Sequence, residues 1–229
     1  MSAILEIQEV TFPKEPPYDC GLSGVSIEIR EGEIALVELP VGVALTPLAD
    51  AAEGLIEPAE GRVLFEEKDW RERSPDLAAT ARGRIGRVFE RAGWLSNLDL
   101  DENITLAGRY HSRETFSALM EKAEALAAEL KVGMIPQGRP ARMNRETLLK
   151  AQWIRALLGS PRLLLLERPV RDLPAEEAAP FVDAVRRRCE QHGLAVLWIT
   201  DSHERLDACA LRADRKYAIQ QEKLVIAPV

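Results

Sequence analysis

The chain has 229 residues, of which 46% are hydrophobic and 29% charged, a composition typical of a globular protein. Its 30 basic and 37 acidic residues give a net charge of −7, which argues against nucleic acid as a partner of the whole surface. Three scattered cysteines favour a reducing cytoplasm over a disulfide framework. Apolar runs are far shorter than the roughly 20 residues of a membrane span, and residues 1–9 lack a secretory pattern, so direct membrane insertion is not expected.

The first ninety residues predict an antiparallel β region followed by a strand, a loop and a helix. Apolar positions alternate over 5–10 and 25–29, as in strands with one solvated face. The continuous apolar run at 34–37 is typical of a strand buried on both faces. A helix is predicted over 47–55, with Thr46 as its N-cap. Residues 85–89 predict a further strand.

A helical insert is predicted between residues 91 and 158. Residues 98–106 have an irregular, polar character. Over 114–130, apolar residues recur at steps of three and four, which indicates an amphipathic helix, and a second helix is predicted over 145–158.

The α/β alternation resumes after the insert, with strands at 163–166 and 195–200 around a helix within 175–191. Gly193 is expected to end that helix, and 216–219 with 223–226 predict a closing hairpin. The predicted fold class is therefore α/β, with a mostly parallel sheet, an N-terminal antiparallel β region and an α-helical insert. We expect a single domain, 1–229, in which 1–90 and 159–229 form the core and antiparallel region.

Several phrases, in this order, resemble the nucleotide-binding domain of ATP-binding cassette (ABC) transporters. They are LSGVSI and EGEI at 22–34, EGLIEP and GRV at 53–63, IGRVF at 85–89, DENI at 101–104, IRAL at 154–157 and SPRLLLL at 160–166. The resemblance implies the P-loop NTPase-like fold of ABC ATPases and a membrane permease as partner. It also implies a peripheral location on the cytoplasmic face of the inner membrane, and a homodimer or a heterodimer with another ABC ATPase.

The phosphate loop of the family falls on residues 39–46. A working loop needs glycines, whose backbone N–H groups can curl around phosphates, and a lysine that reaches the β and γ phosphates. Leu45 stands at the lysine position, and Leu39 and Ala44 stand at glycine positions. The retained or vestigial nucleotide-binding candidates in this loop are Pro40, Gly42, Ala44, Leu45 and Thr46. A loop that only leads into its helix is favoured over a weak phosphate site.

The other nucleotide-contacting positions are also substituted. Glu167 and Arg168 occupy the positions of the aspartate that organises Mg²⁺ and the glutamate that polarises water. An arginine stays protonated and cannot act as a general base. We expect Arg168 to form a surface salt bridge with a neighbouring carboxylate, with anion binding as the alternative. Glu90 replaces the phosphate-sensing glutamine, and Asp201 replaces the switch histidine. His203 lies two residues further on and is expected to be an ordinary solvated histidine, with the switch role as the alternative.

The signature loop of the family maps onto Met143, Asn144, Arg145, Glu146 and Thr147. Asn144 can cap the following helix, but Arg145 and Glu146 place long side chains where glycines are needed. The dimer is therefore not expected to close on ATP as in the family. Two basic runs are expected to be solvated helix faces, with contact to an acidic partner or to phosphate as the alternative. They are 186–188 and the set Arg139, Arg142, Arg145, Lys150, Arg155 and Arg162.

Three further predictions concern apolar and aromatic side chains. Trp94, Leu95 and Leu98 lie where the family receives its permease, and packing inside the helical insert is an equal alternative. Phe12 is expected in the core, and Tyr18 is a candidate for stacking on adenine.

Two hypotheses about function follow. The favoured one is a degenerate ABC ATP-binding-protein homologue that acts as a non-hydrolysing scaffold or regulatory subunit, with no catalytic residue, no metal and no cofactor. The alternative is an active ATPase that uses substitute residues with ATP and Mg²⁺.

Overall fold

Ten strands form two sheets in the part of the chain that the computed structural model describes, residues 2–91, 93–201 and 211–227. The first sheet is antiparallel, with the order β2-β1-β4-β5. Its strands are β1 (Ala3–Phe12), β2 (Leu22–Arg30), β4 (Glu60–Phe65) and β5 (Lys68–Asp69). This sheet contains the two alternating strands predicted near the N-terminus.

The second sheet has the order β10-β9-β3-β8-β7-β6, in which β10 alone is antiparallel to its neighbour. Its strands are β3 (Ile34–Glu38), β6 (Ile85–Val88), β7 (Leu163–Glu167), β8 (Ala195–Thr200), β9 (Arg215–Gln220) and β10 (Lys223–Ile226). The predicted parallel-rich sheet and closing hairpin are confirmed.

Six α-helices accompany these sheets within the described residues. They are α1 (Leu48–Ala52), α2 (Pro75–Arg82), α3 (Leu100–His111), α4 (Phe116–Glu129), α5 (Arg145–Leu158) and α6 (Ala175–His192). The predictions for α4, α5 and α6 are confirmed, and α6 ends at Gly193, whose left-handed φ of 67° is easy for glycine. None of the helices in the described ranges combines the length and the apolarity that a bilayer span requires.

Two helix predictions are wrong. Residues 98–106 are not irregular: a capping box between Asp99 and Glu102 starts α3. This helix buries Asn103 and Thr105 beside Leu100 and Ile104, so its buried face lacks a purely apolar period. The helix predicted over 47–55 is confined to α1, and Pro47 occupies its N-cap position without a side-chain cap, so Thr46 is not the N-cap.

The core lies on both faces of the second sheet. In β7, Leu164 and Leu166 pack in the half of the core that contains α3, α4, α5 and α6. Leu163 and Leu165 pack in the other half, with α1 and the antiparallel sheet. Successive side chains of a strand point to opposite faces, so a strand between two cores needs an unbroken apolar run. This arrangement fixes the carboxyl ends of the parallel strands between the two halves of the core.

Candidate functional site

The predicted nucleotide-binding positions meet at the carboxyl ends of β3, β6, β7 and β8. In the parallel register Glu38 pairs with Thr200, Glu167 with Ile199 and Val88 with Leu166. The residues that follow these strands therefore converge at one edge of the sheet, where α/β folds place their ligand sites.

The loop at 39–46 begins with Leu39, whose N–H donates to the Thr200 carbonyl at 2.7 Å. Pro40 is half-buried and its carbonyl accepts from the Val43 N–H at 3.1 Å. Gly42 has a φ of 86° and lies exposed at the turn. Leu45 is half-buried and Thr46 is buried. Residues 39–46 include no lysine, arginine or histidine, so the loop itself carries no cationic side chain.

Arg168 is buried against this loop, with a side chain only 4% exposed. It has a φ of 48°, an uncommon left-handed conformation for an arginine. Its guanidinium donates to the carbonyls of Ala44, at 2.7 Å, and Val43. The predicted salt bridge with neighbouring carboxylates is therefore present, with Glu90 and Asp201, but its arginine side chain is buried and not on the surface.

Two carboxylates flank the same guanidinium. Glu90 lies 3.4 Å from Arg168 Nη1 and also accepts from Arg171 at 2.5 Å. Asp201 Oδ2 lies 2.9 Å from Arg168 Nε. Arg168 thus contacts three other predicted site positions, namely Ala44, Glu90 and Asp201. His203 lies outside the described residues.

Glu167 belongs to a second buried cluster, centred on Arg87. Its carboxylate accepts from Arg87 at 2.9 and 3.0 Å, and the same guanidinium contacts Asp50 at 2.6 Å and Glu53 at 2.8 Å. Burial raises the pKa of Glu167 despite the opposing effect of Arg87. Burial alone would lower the pKa of Arg87, but the three carboxylates outweigh it and raise this pKa.

Phe12, predicted in the core, and Tyr18, the candidate for stacking on adenine, lie in different environments. Phe12 is 6% exposed, in the core as predicted. Tyr18 is half-buried, and its hydroxyl donates to Asp50 at 2.6 Å. Burial and this hydrogen bond raise the pKa of Tyr18, so the residue is anchored to the Arg87 cluster.

Asp19 is a site residue that sequence reasoning missed. Its Oδ2 accepts from the N–H groups of Ala44, at 2.9 Å, and Leu45, at 2.8 Å. These two backbone hydrogen bonds lower the pKa of Asp19. No motif marks this aspartate; the only available signal was a carboxylate beside Tyr18, in a loop between two predicted strands.

The signature-loop residues lie at the start of α5. Asn144 caps this helix as predicted, because its side chain accepts from the Thr147 N–H at 2.8 Å. Arg145 is 75% exposed and lies 3.6 Å from Asp172. Glu146 accepts from Lys150 at 2.6 Å, and Met143 packs on the core. A cavity of about 100 Å³ separates this loop from Glu90 and Arg168.

The basic runs are mostly paired with acidic side chains, and the predicted solvated helix face is found for only part of them. Arg145, Arg186 and Arg187 are exposed on α5 and α6. Lys150 and Arg188 are mostly buried, and Arg139 and Arg162 lie outside the α-helices. The observed pairs are Arg139 with Asp99, Lys150 with Glu146 and Glu177, Arg162 with Glu31, Arg186 with Asp183, and Arg187 and Arg188 with Glu129. Arg142 and Arg155 differ, because no carboxylate in the described ranges forms an ion pair with either of them.

Arg155 instead packs among aromatic rings at the candidate permease region. Its guanidinium lies 4.2 Å from the ring centroid of Trp94 and 5.2 Å from that of Phe89. Burial lowers the pKa of Arg155 to about 10. Leu95 is 48% exposed and lines an adjoining groove of about 290 Å³, whereas Trp94 packs against the core and Leu98 is half-buried.

The charged groups at the sheet edge do not fit Mg²⁺-ATP as these residues are arranged. A triphosphate in the loop would meet the Asp19 carboxylate on the N–H groups of Ala44 and Leu45. Glu90 and Glu167 are both paired with arginine, so a metal ion would have to displace a guanidinium from either. No metal-holding group of His, Cys, Asp and Glu occurs among the described residues.

Comparisons with known proteins agree with the fold. No family model matches the chain. It is 26% identical over 187 residues to the phosphonates import ATP-binding protein PhnC of Alcaligenes faecalis, covering 78% of this chain and 67% of that protein. It is 26% identical over 204 residues to the putative hemin import ATP-binding protein HrtA of Staphylococcus epidermidis, covering 87% and 90%. With the sulfate/thiosulfate import ATP-binding protein CysA of Xanthomonas campestris it shares 27% identity over 197 residues, covering 85% of this chain and 55% of that protein.

Solved structures give the same result at lower identity. The dimeric ADP- and phosphate-bound cassette MJ0796 superposes with a TM-score of 0.82, 18% identity and 96% coverage of both chains. An ATP-binding subunit of an ABC transporter superposes with a TM-score of 0.80, 16% identity, and coverage of 97% of this chain and 90% of that one. The protein therefore has the P-loop fold of an ABC ATPase cassette, as predicted. Its homologues are ATP-binding proteins of import systems.

Proposed function

We propose that this protein is an ABC-cassette subunit of a membrane transport complex that serves as a scaffold or regulator and does not hydrolyse ATP. The observation that carries the proposal is the buried Arg168 guanidinium, which donates to the carbonyls of Val43 and Ala44. This positive group stands where the resemblance requires a water-polarising carboxylate.

The chemistry of phosphoryl transfer supports this proposal. Hydrolysis requires a positioned water and cations that stabilise charge on the γ-phosphate. Leu45 supplies no charge at the loop, and Arg168 stays protonated. Loss of a general base alone typically lowers a rate by about 10² to 10⁴, so the combined substitutions favour loss of turnover.

The alternative, an active ATPase with substitute residues, is favoured by the homology to ATP-binding proteins. Glu90 or Glu167 would then hold Mg²⁺ and Thr46 would contact phosphate. Such a state requires the glutamate that binds the metal to leave its arginine partner, and it also requires Asp19 to release the loop.

Isothermal titration calorimetry with Mg²⁺-ATP, together with a phosphate-release assay, separates the two functions. We expect no micromolar binding and phosphate release at the buffer level. The double variant Leu45→Lys/Arg168→Glu is the matched comparison, because it returns the two family side chains. Micromolar binding with phosphate release by the wild type contradicts the scaffold proposal and establishes the ATPase alternative.

The proposed partner is a membrane permease, to which this protein binds peripherally at the cytoplasmic face of the membrane. In the proposed domain organisation, residues 91–158 form the helical insert that faces the permease. Exposed Leu95 lines one groove together with Arg155, which forms no ion pair with any carboxylate of the described residues, and both support this placement. We expect Leu95→Ala to weaken co-purification of the permease. The control is Leu77→Ala, a leucine of similar 53% exposure on α2. Equal recovery of the permease with both variants would remove the groove from the proposal.

Light scattering on the same preparation measures whether the protein pairs as a homodimer or as a heterodimer with another ABC ATPase.

A further inference from the structure

The segment Val43–Leu45 has all of its backbone polar groups bonded within the protein. The Val43 N–H donates to Pro40 O at 3.1 Å, and the N–H groups of Ala44 and Leu45 donate to Asp19 Oδ2. The carbonyls of Val43 and Ala44 accept from Arg168, and the Leu45 carbonyl accepts from the Asp19 N–H at 2.9 Å. Three consecutive loop residues are thus held from two sides.

The two holding groups carry opposite charges that match the backbone dipoles they face. The carboxylate of Asp19 meets two convergent N–H groups, the arrangement by which loop amides bind an anionic oxygen. The guanidinium of Arg168 meets two carbonyl oxygens. Charge-assisted hydrogen bonds of this kind are stronger than neutral ones, so the segment needs no external ligand to satisfy its polar groups.

We propose that Asp19 and Arg168 form an internal clamp that holds Val43–Leu45 in one conformation without nucleotide, and that Asp19 acts as a resident anion in place of phosphate. The inference rests on the proposed function, because it names what occupies the phosphate loop of that same site when no ATP is used. An incoming phosphate must displace a like charge from the N–H groups that it would use. The clamp therefore occupies the N–H groups that a phosphate would use and blocks this loop against nucleotide.

Nucleotide-free amide hydrogen exchange, followed residue by residue by NMR, tests the clamp. In the wild type we expect the amides of Ala44 and Leu45 to exchange at least about tenfold more slowly than exposed Gly42, because hydrogen bonds to charged groups must open first. Asp19→Ala should abolish this protection, and Asp19→Asn should leave part of it. The matched control is Glu15→Ala, which removes a carboxylate of the same loop whose side chain is exposed.

Exchange at Leu165, buried in β7, reports whether each variant remains folded. If Asp19→Ala does not fold, the wild-type amide exchange rates of Ala44 and Leu45, compared with that of Gly42, test the clamp without the variant. Rates equal to that of Gly42 overturn the clamp, as does protection that survives in folded Asp19→Ala. Titration of the wild type with Mg²⁺-ATP to millimolar concentration should leave both amide resonances in place, and their displacement overturns the role of Asp19 as a resident anion.

The failures of the two proposals are distinguishable, because the exchange experiment contains no nucleotide. Phosphate release by a wild type whose loop amides are protected through Asp19 would refute the proposed function and keep the apo-state clamp. Unprotected amides in a protein without ATPase activity would refute the clamp and keep the proposed function.

Discussion

Replacement of Arg87 by methionine is predicted to be among the most damaging single changes at the sheet edge. The Arg87 side chain is 7% exposed and contacts Asp50, Glu53 and Glu167. The substitution keeps an unbranched side chain of similar length but removes the only positive charge that these three carboxylates contact within the cluster described above.

The magnitude follows from the burial of the cluster. Removing one partner of a buried ion pair typically costs about 3–5 kcal/mol, because the remaining charge is left without compensation. For a domain of this size, 1 kcal/mol lowers the melting temperature by about 2–4 °C. We therefore expect Arg87→Met to melt about 6–20 °C below the wild type in calorimetry near neutral pH.

The control is Arg30→Met, which breaks an ion pair with Glu28 whose side chains are 45% and 41% exposed. Such an exposed pair contributes about 0–1 kcal/mol. Burial raises the pKa of Glu167 and Arg87 opposes this effect, so without Arg87 the pKa of Glu167 in the folded state lies further above its unfolded value and the folded state binds more protons. The deficit of Arg87→Met must then shrink as the pH falls from about 8 to about 5.

A melting temperature of Arg87→Met no lower than that of Arg30→Met would contradict a stabilising role of the buried cluster. An equal deficit of Arg87→Met at both pH values would contradict it as well, because protonation must relieve uncompensated carboxylates.

Three further predictions concern other parts of the fold. Hydrogen bonds from two arginines of α6 lower the pKa of Glu129 to about 2. In urea denaturation at neutral pH, Glu129→Gln should lower the free energy of unfolding by about 1 kcal/mol. This difference from the wild type should disappear as the pH falls from about 4 to about 2, because Glu129 is then protonated. Asn144→Ala removes the N-cap of α5 and should lower the free energy of unfolding by about 1 kcal/mol in the same assay, whereas Asn144→Ser should retain most of it. Gly86→Ala would place a Cβ 2.0 Å from the Ala156 carbonyl oxygen, so a loss of about 3 kcal/mol is expected, and a wild-type denaturation midpoint would contradict this packing.

Elements with a clear hydrophobic period could be predicted from the sequence. The three- and four-residue steps of α4 and the unbroken apolar run of β7 identify one helix and one doubly buried strand, because each pattern permits a single way of burying its side chains. By contrast, α3 was missed because Asn103 and Thr105 are buried there, with Asn103 donating to the carbonyls of Leu95 and Leu98. A polar side chain buried by tertiary hydrogen bonds interrupts the apolar period on which such predictions depend.

The sequence by itself determined which charges the sheet edge can supply: an aliphatic side chain at position 45 and a guanidinium at position 168 follow from residue identity alone. Only the tertiary structure decided which charges meet. Arg87 reaches Glu167 across 80 positions of sequence, and Asp19 reaches Leu45 across 26. Ion pairs form between groups that the fold brings together and buries, and sequence separation carries no information on that distance. Packing therefore decided that Arg168, which the sequence places at the surface, is buried against the loop.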